Sequence, residues 1–213
     1  QFLAGVPVET DANAGVTQVT AQMLLKGAAQ RTDEQIGALL EDRGGSLSAN
    51  GDAHRFFVGA DVMQGDETLA MELLRDLLTQ PTFPETHLAK VKKRQLASIR
   101  EELEDPLTVG LRKARRDIFA GLPYARTALG SLETVEGLDV ALCRNLWAQS
   151  VQGRNGVISV FGNVKAEIVR DQAEQFFGSI AAGTKSSAGF AAMPVTAAPC
   201  ARKLKLDKEQ GVL

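Results

Sequence analysis

Residues 15–27, GVTQVTAQMLLKG, carry two glutamines four positions apart, Gln18 and Gln22, with Ala21 next to the second. If a helix starts near Gly15, both amides fall on one face. At this spacing two histidines would grip a zinc ion, and a glutamate in place of Ala21 would activate the metal's water. Two amides and a methyl group stand there instead. A neutral amide is a poor zinc ligand and alanine cannot act as a base, so the spacing of a hydrolytic metal helix is present without its chemistry. On residue types alone the pair also fits a solvated helix face, since glutamine is a good helix former.

The remaining chemistry-bearing residues do not converge. His54, in GDAHRFFV, is expected at the exposed start of a strand, and His87, in PETHLAK, in the solvated first turn of a helix. A zinc site needs three or four converging ligands, and two unrelated histidines without a cysteine pair fall short. Cys143, in DVALCRNLWAQSV, is expected to be a small buried apolar residue. Cys200 lies in a Pro/Ala-rich stretch, and two cysteines in a chain of 213 residues do not make a disulfide framework. The basic run KVKKRQ (90–95) suggests a phosphate patch until the acids of REELED follow on the same helix, which makes a solvated face laced with ion pairs the better expectation. Gly44–Gly45 is a helix stop rather than a phosphate cradle, and neither Ser46 nor Ser98 has a local base to make it a nucleophile.

The elements that position these residues follow from periodicity. FLAGVPVE is a strand, and the helix at 15–27 has the apolar stripe Val16, Val19, Met23 and Leu24. Thr32 and Gln35 form a capping box for a helix bearing Ile36, Leu39 and Leu40. Ser46–Asn50 and Arg55–Val62 pair through the turn Asn50-Gly51-Asp52. Asp66 caps a helix with Leu69, Leu73, Leu74 and Leu77, stopped before Pro81. Pro84 opens a long charged helix to Asp105. Pro106 breaks it and starts another, with Val109, Leu111, Ala114 and Ile118. GLPYARTALG is a loop, 139–150 a helix, GVISVFGNV a buried strand, and Ala166–Phe177 a last helix. This order gives an α+β sandwich, an antiparallel-rich sheet covered by helices on one side.

Composition narrows the partners. Apolar residues make up 44% and charged residues 23%, and 24 Lys and Arg against 26 Asp and Glu give a net charge of −2. Neither nucleic acid nor an anionic membrane is recommended by that balance, and no apolar run reaches the length of a span. The chain opens without methionine in strand-like FLAGVPV, and is expected to be a processed or truncated product. Periplasm and cytoplasm both fit.

Five stretches, GVTQVTAQMLLKGAAQRT, LLEDRGGSLSAN, TQPTFPETHLAKVKKRQLASIREELEDP, LPYARTALGSLETVEGL and VISVFGNVKAEIVRDQAEQFFG, resemble, in order, the insulinase, pitrilysin and mitochondrial processing peptidase family. In that family the zinc motif is inverted, H-x-x-E-H. The resemblance places its histidines at Gln18 and Gln22 and its catalytic glutamate at Ala21. The third ligand, a glutamate about 76 residues on, falls at Ser98, with Glu101 and Glu102 close enough for a small shift in alignment to restore one carboxylate. The resemblance therefore implies no catalytic residue, no metal at the degenerate positions Gln18, Gln22 and Ser98, and no cofactor.

The same resemblance implies that residues 1–180 form an inactive metallopeptidase-like domain, 181–201 a linker, and 202–213 the first strand of a homologous second half. It implies a non-catalytic subunit or domain that forms a peptide-binding chamber with an active zinc peptidase homologue as a heterodimer, or with copies of itself. The partner halves of such pairs supply an Arg and a Tyr to substrate. No stretch of that kind occurs here, so such residues are expected after Leu213. The alternative is a structural assembly subunit without proteolytic role, for which the family has precedents among the core subunits of the respiratory cytochrome complex.

Overall fold

Helix α1 (Val16–Leu24) is the element around which the others are arranged. In the computed structural model, which describes residues 1–185, it packs on strands β4 (Ser46–Gly51) and β5 (Arg55–Asp61) and on helices α4 (Glu85–Glu104) and α7 (Val140–Ser150). Val16, Val19, Met23 and Leu24, the stripe seen in the sequence, are all buried. They meet Phe56, Phe83, Ile99, Val135 and Cys143 in the main core. Removing these side chains from water is the principal stabilising term, at about 25 cal/mol per Å² of apolar surface.

The sheet is antiparallel, in the order β1 (Phe2–Leu3), β5, β4. Along β4, Leu47, Ala49 and Gly51 turn inward while Ser46, Ser48 and Asn50 are exposed, so one face carries the helices. A two-stranded ribbon, β2 (Gly27–Ala28) and β3 (Arg31–Thr32), leads into α2 (Asp33–Glu41). Thr32 Oγ1 accepts from Gln35 N, and Gln35 Oε1 accepts from Thr32 N, the expected capping box. Helices α3 (Glu67–Thr79), α5 (Pro106–Ile118), α6 (Leu132–Gly137) and α8 (Ala166–Phe177) complete the α+β fold.

Several expectations need correction. The first strand is only Phe2–Leu3: the backbone turns at Gly5 (φ 78°), and Pro7, which has no N–H to give a ladder, sits in a 3₁₀ turn over Val6–Val8. GVISVFGNV is not a buried strand. Its pairing among the described residues stops at Phe2↔Gly156 and the exchange between Gln1 and Val157, because β1 is too short to continue the ladder, and Phe161 is 92% exposed. Asp66 stands before α3, but its carboxylate is taken by Arg43 at 2.5 Å rather than by an α3 amide. Leu39 is exposed. The basic run on α4 does not pair with the acids that follow it: Lys92 donates to the carbonyls of Glu136 and Leu138 at the end of α6, and Glu102 pairs with Arg112.

Of the expected linker, residues 181–185 are described: Ala181 O and Ala182 O accept from Gly153 N and Arg154 N, and Thr184 N donates to Gln152 Oε1. Residues 186–201, the strand expected at 202–213 and Cys200 lie outside the described residues.

Candidate functional site

The N-terminus of α1 is set by a close approach. Gly15, at φ 92°, precedes the helix where a Cβ would lie 2.5 Å from the Leu129 carbonyl, so only glycine fits. Glu9, buried, caps the same end: its Oε2 accepts from Gly15 N at 3.0 Å and its Oε1 from Thr17 N at 2.9 Å. A carboxylate here satisfies N–H groups that lack helical partners and faces the positive end of the helix dipole. Burial pushes the Glu9 carboxyl above its ordinary value, against the pull of those amides and the nearby Arg126. Arg126 donates to the carbonyls of Val6 and Glu9 and pairs with Asp11, fixing the loop that carries Leu129.

One turn further along α1, Gln18 and Gln22 open onto a cleft of about 180 Å³ lined also by Val91, Arg94, Gln95 and Ser98 of α4 and by Leu129. The three positions singled out for a ligand set, Gln18, Gln22 and Ser98, are thus neighbours in space. Ala21 is not among the lining residues; it is fully buried in the main core. Glu101 and Glu102 do not line the cleft either.

Both glutamines are committed elsewhere. Gln18 Oε1 accepts from Gly51 N and Gln22 Nε2 donates to Ala49 O, each at 2.5 Å, so the two amides tie α1 to the edge strand β4. Gly51 permits this approach, since a Cβ there would meet Gln18 N and Thr17 C at 2.7 Å. The expectation of a simply solvated pair gives way to a structural one. Gln95 Nε2 donates to Gly15 O and Leu129 O at 3.0 and 2.8 Å, while its Oε1 is buried without a protein partner. Arg94 adds a permanent positive charge to the lining. Amides, a hydroxyl and a guanidinium can bind a neutral or anionic group by hydrogen bonds, whereas the charge of Arg94 opposes a divalent cation.

Elsewhere, His54 stacks obliquely against Tyr124, with ring centroids 5.4 Å apart, and remains exposed. His87 is half-buried rather than solvated, with Nε2 3.5 Å from Asp33. Cys143 is a buried free thiol. Among the described residues no group of three or more His, Cys, Asp or Glu could hold a metal ion. No described helix is long and apolar enough to cross a membrane. The sequence reading missed Arg94 and Gln95, although both sit within one turn of Ser98 and helical spacing could have found them. Nothing local marked Glu9 or Leu129, which reach the site through loops.

The family of this α+β domain follows from comparison with known proteins. The profile of the insulinase family, peptidase family M16, matches residues 1–130, and the chain belongs to that family. A zinc protease of Rickettsia bellii, otherwise uncharacterised, is 24% identical over 183 residues, 86% of this chain and 44% of that protein. The non-peptidase homologue YmxG of Helicobacter pylori is 23% identical over 166 residues, 78% of this chain and 38% of that protein. Among solved structures, a peptidase M16 inactive domain from Pseudomonas fluorescens superposes with a TM-score of 0.78 at 21% identity, covering 86% of this chain and 45% of that one. The chain therefore spans less than half the length of these relatives.

Proposed function

We propose that this domain is a non-catalytic half of an insulinase-family peptidase assembly, which helps enclose a peptide-binding chamber together with an active homologue. The observation that carries the reading is the cleft. Gln18, Gln22 and Ser98 converge where the family resemblance places the zinc ligands, yet they offer no imidazole or carboxylate, and the two glutamines bond to the β4 backbone. Ala21, buried in the core, has no atom that could take a proton from water. A fold kept whole around a site without its chemistry suits a chamber wall. Similarity to a protein named an inactive domain and to another named a non-peptidase homologue supports the same reading.

The test measures cleavage of a quenched fluorescent peptide by a family member with an intact H-x-x-E-H motif, with and without the full-length form of this subunit. The chain alone is expected to cleave nothing with zinc supplied, and the full-length subunit to raise the homologue's rate. That rise should survive Gln18→Ala and Gln22→Ala. An unchanged rate together with no co-elution at micromolar concentration would overturn the chamber role in favour of an assembly subunit.

A further inference from the structure

Each glutamine of the cleft commits half of its amide to β4 and keeps the other half. Gln18 Oε1 accepts from Gly51 N and Gln22 Nε2 donates to Ala49 O, so these partners fix which way each amide points. Gln18 Nε2 and Gln22 Oε1 make no hydrogen bond among the described residues. From α4, Gln95 is 5% exposed, and its Nε2 is held by the carbonyls of Gly15 and Leu129. Its Oε1 is buried with no protein partner among the described residues. A buried acceptor left unpaired is costly and asks for a donor from outside the fold. Ser98 and Arg94, both exposed on α4, make no side-chain hydrogen bond or ion pair among the described residues either. The cleft thus offers donors from Gln18, Ser98 and Arg94 beside two acceptors, with one positive charge and no acid in its lining.

We propose that this cleft binds the C-terminal end of a peptide, through its α-carboxylate and the amide N–H of the same residue. The inventory of free groups selects that ligand. A phosphate or another simple anion would satisfy Arg94 and the other donors, but would leave Gln22 Oε1 and Gln95 Oε1 without a partner. A neutral carboxamide would match donors and acceptors and leave the charge of Arg94 unanswered. An acidic side chain carries its carboxylate on further rotatable bonds from the nearest N–H, whereas an α-carboxylate and its own N–H share one Cα. The carboxylate takes the charge-assisted bonds, from Arg94, Gln18 Nε2 and the Ser98 hydroxyl, and the N–H goes to Gln95 Oε1 or Gln22 Oε1. At about 180 Å³ the cleft is smaller than the about 300–1,000 Å³ of ordinary small-molecule sites, which suits a single chain end. Hydrolysis of a peptide bond creates such a carboxylate at every cut. The inference rests on the chamber reading for the supply of these ends, and on the cleft alone for their binding.

Titration of the ¹⁵N-labelled 213-residue chain, followed by the side-chain amide signals of Gln18 and Gln95, decides it. Acetyl-Ala-Ala-Ala as the free acid should shift both signals and saturate with a Kd of about 0.1–1 mM. The same peptide amidated at its C-terminus, acetyl-Ala-Glu-Ala amide and inorganic phosphate should each bind at least about tenfold more weakly. Arg94→Gln, at an exposed position without a partner among the described residues, should leave far-UV circular dichroism unchanged and weaken the free acid about tenfold or more. Gln18→Glu keeps the acceptor for Gly51 N, replaces the free donor by a like charge, and should abolish binding. No saturable shift by the free acid up to about 10 mM overturns the proposal. So does equal binding of the amidated peptide, the internal acid or phosphate, and so does binding that either variant leaves unchanged. The homologue's stimulation, read on a peptide amidated at its C-terminus, does not use this site. Failure of binding therefore leaves the chamber role standing, and binding without stimulation sustains the site while the chamber role falls.

Discussion

Replacing Glu9 by alanine probes the link between the N-terminal loop and the candidate site. The substitution removes acceptors at 3.0 and 2.9 Å from the buried N–H groups of Gly15 and Thr17. Each bond to a charged group contributes about 1.5–3 kcal/mol, and each orphaned buried amide costs about 1–3 kcal/mol. Against this stands the relief of no longer burying a carboxylate, which is large enough to push its pKa up. The balance predicts a loss of about 2–4 kcal/mol for Glu9→Ala and about 1–2 kcal/mol for Glu9→Gln, which keeps one acceptor. Urea unfolding followed by the single tryptophan measures it, since Trp147 Nε1 donates to Leu78 O in the core and reports loss of packing.

The pH dependence has a definite sign. The folded-state pKa of Glu9 lies above its ordinary value of 4.5, so its contribution to stability is fully present below pH 4.5 and is lost as pH rises through the folded value. Gln does not titrate. The stability gap between wild type and Glu9→Gln should therefore narrow as pH rises above 4.5. A gap that widens would mean that the two amide bonds outweigh burial, and a Glu9→Ala cost below about 0.5 kcal/mol would refute the capping role altogether.

Gly51→Ala would set a methyl group against the α1 backbone at 2.7 Å, and is expected to cost about 1–3 kcal/mol by the same unfolding assay. Gly110→Ala, where a Cβ meets nothing within 4 Å among the described residues, should instead stabilise the chain by about 0.5–1 kcal/mol. Burial raises the Cys143 thiol to about 11, so in a Cys200→Ser background the folded chain should resist a disulfide reagent at pH 8 and react only when urea unfolds it.

Sequence pattern gave the longer helices because each had a periodic apolar stripe or a cap that acts within a few residues: Thr32 with Gln35, Pro84, Pro106, and the stripe from Val16 to Leu24, whereas the six-residue α6, too short for a stripe, was not read from it. The hairpin was legible from Asn50-Gly51-Asp52 between alternating runs. Failures came where the outcome depended on distant pairing. VISVF has the residues of a buried strand, but burial needs a neighbour, and β1 provides only one rung. The α5 stripe predicted a helix but not which side of it faces the domain. That is settled by Arg112 reaching Glu102 and Gly130 rather than by hydrophobicity. At the cleft, the spacing of Gln18, Gln22 and Ser98 was readable, whereas the use of both glutamines to hold β4 was not, because Ala49 and Gly51 are some 30 residues away in sequence and contribute only backbone atoms.

The central claim, that the cleft is a ligand set replaced by groups that do not bind metal, is tested most directly by zinc content after dialysis. The wild-type chain should keep less than about 0.1 zinc per molecule, while Gln18→His, Gln22→His and Ser98→Glu combined should bind about one, with two imidazoles and a carboxylate in place of two amides and a hydroxyl. Stoichiometric zinc in the wild-type chain, lost on Gln22→Ala, would contradict the account.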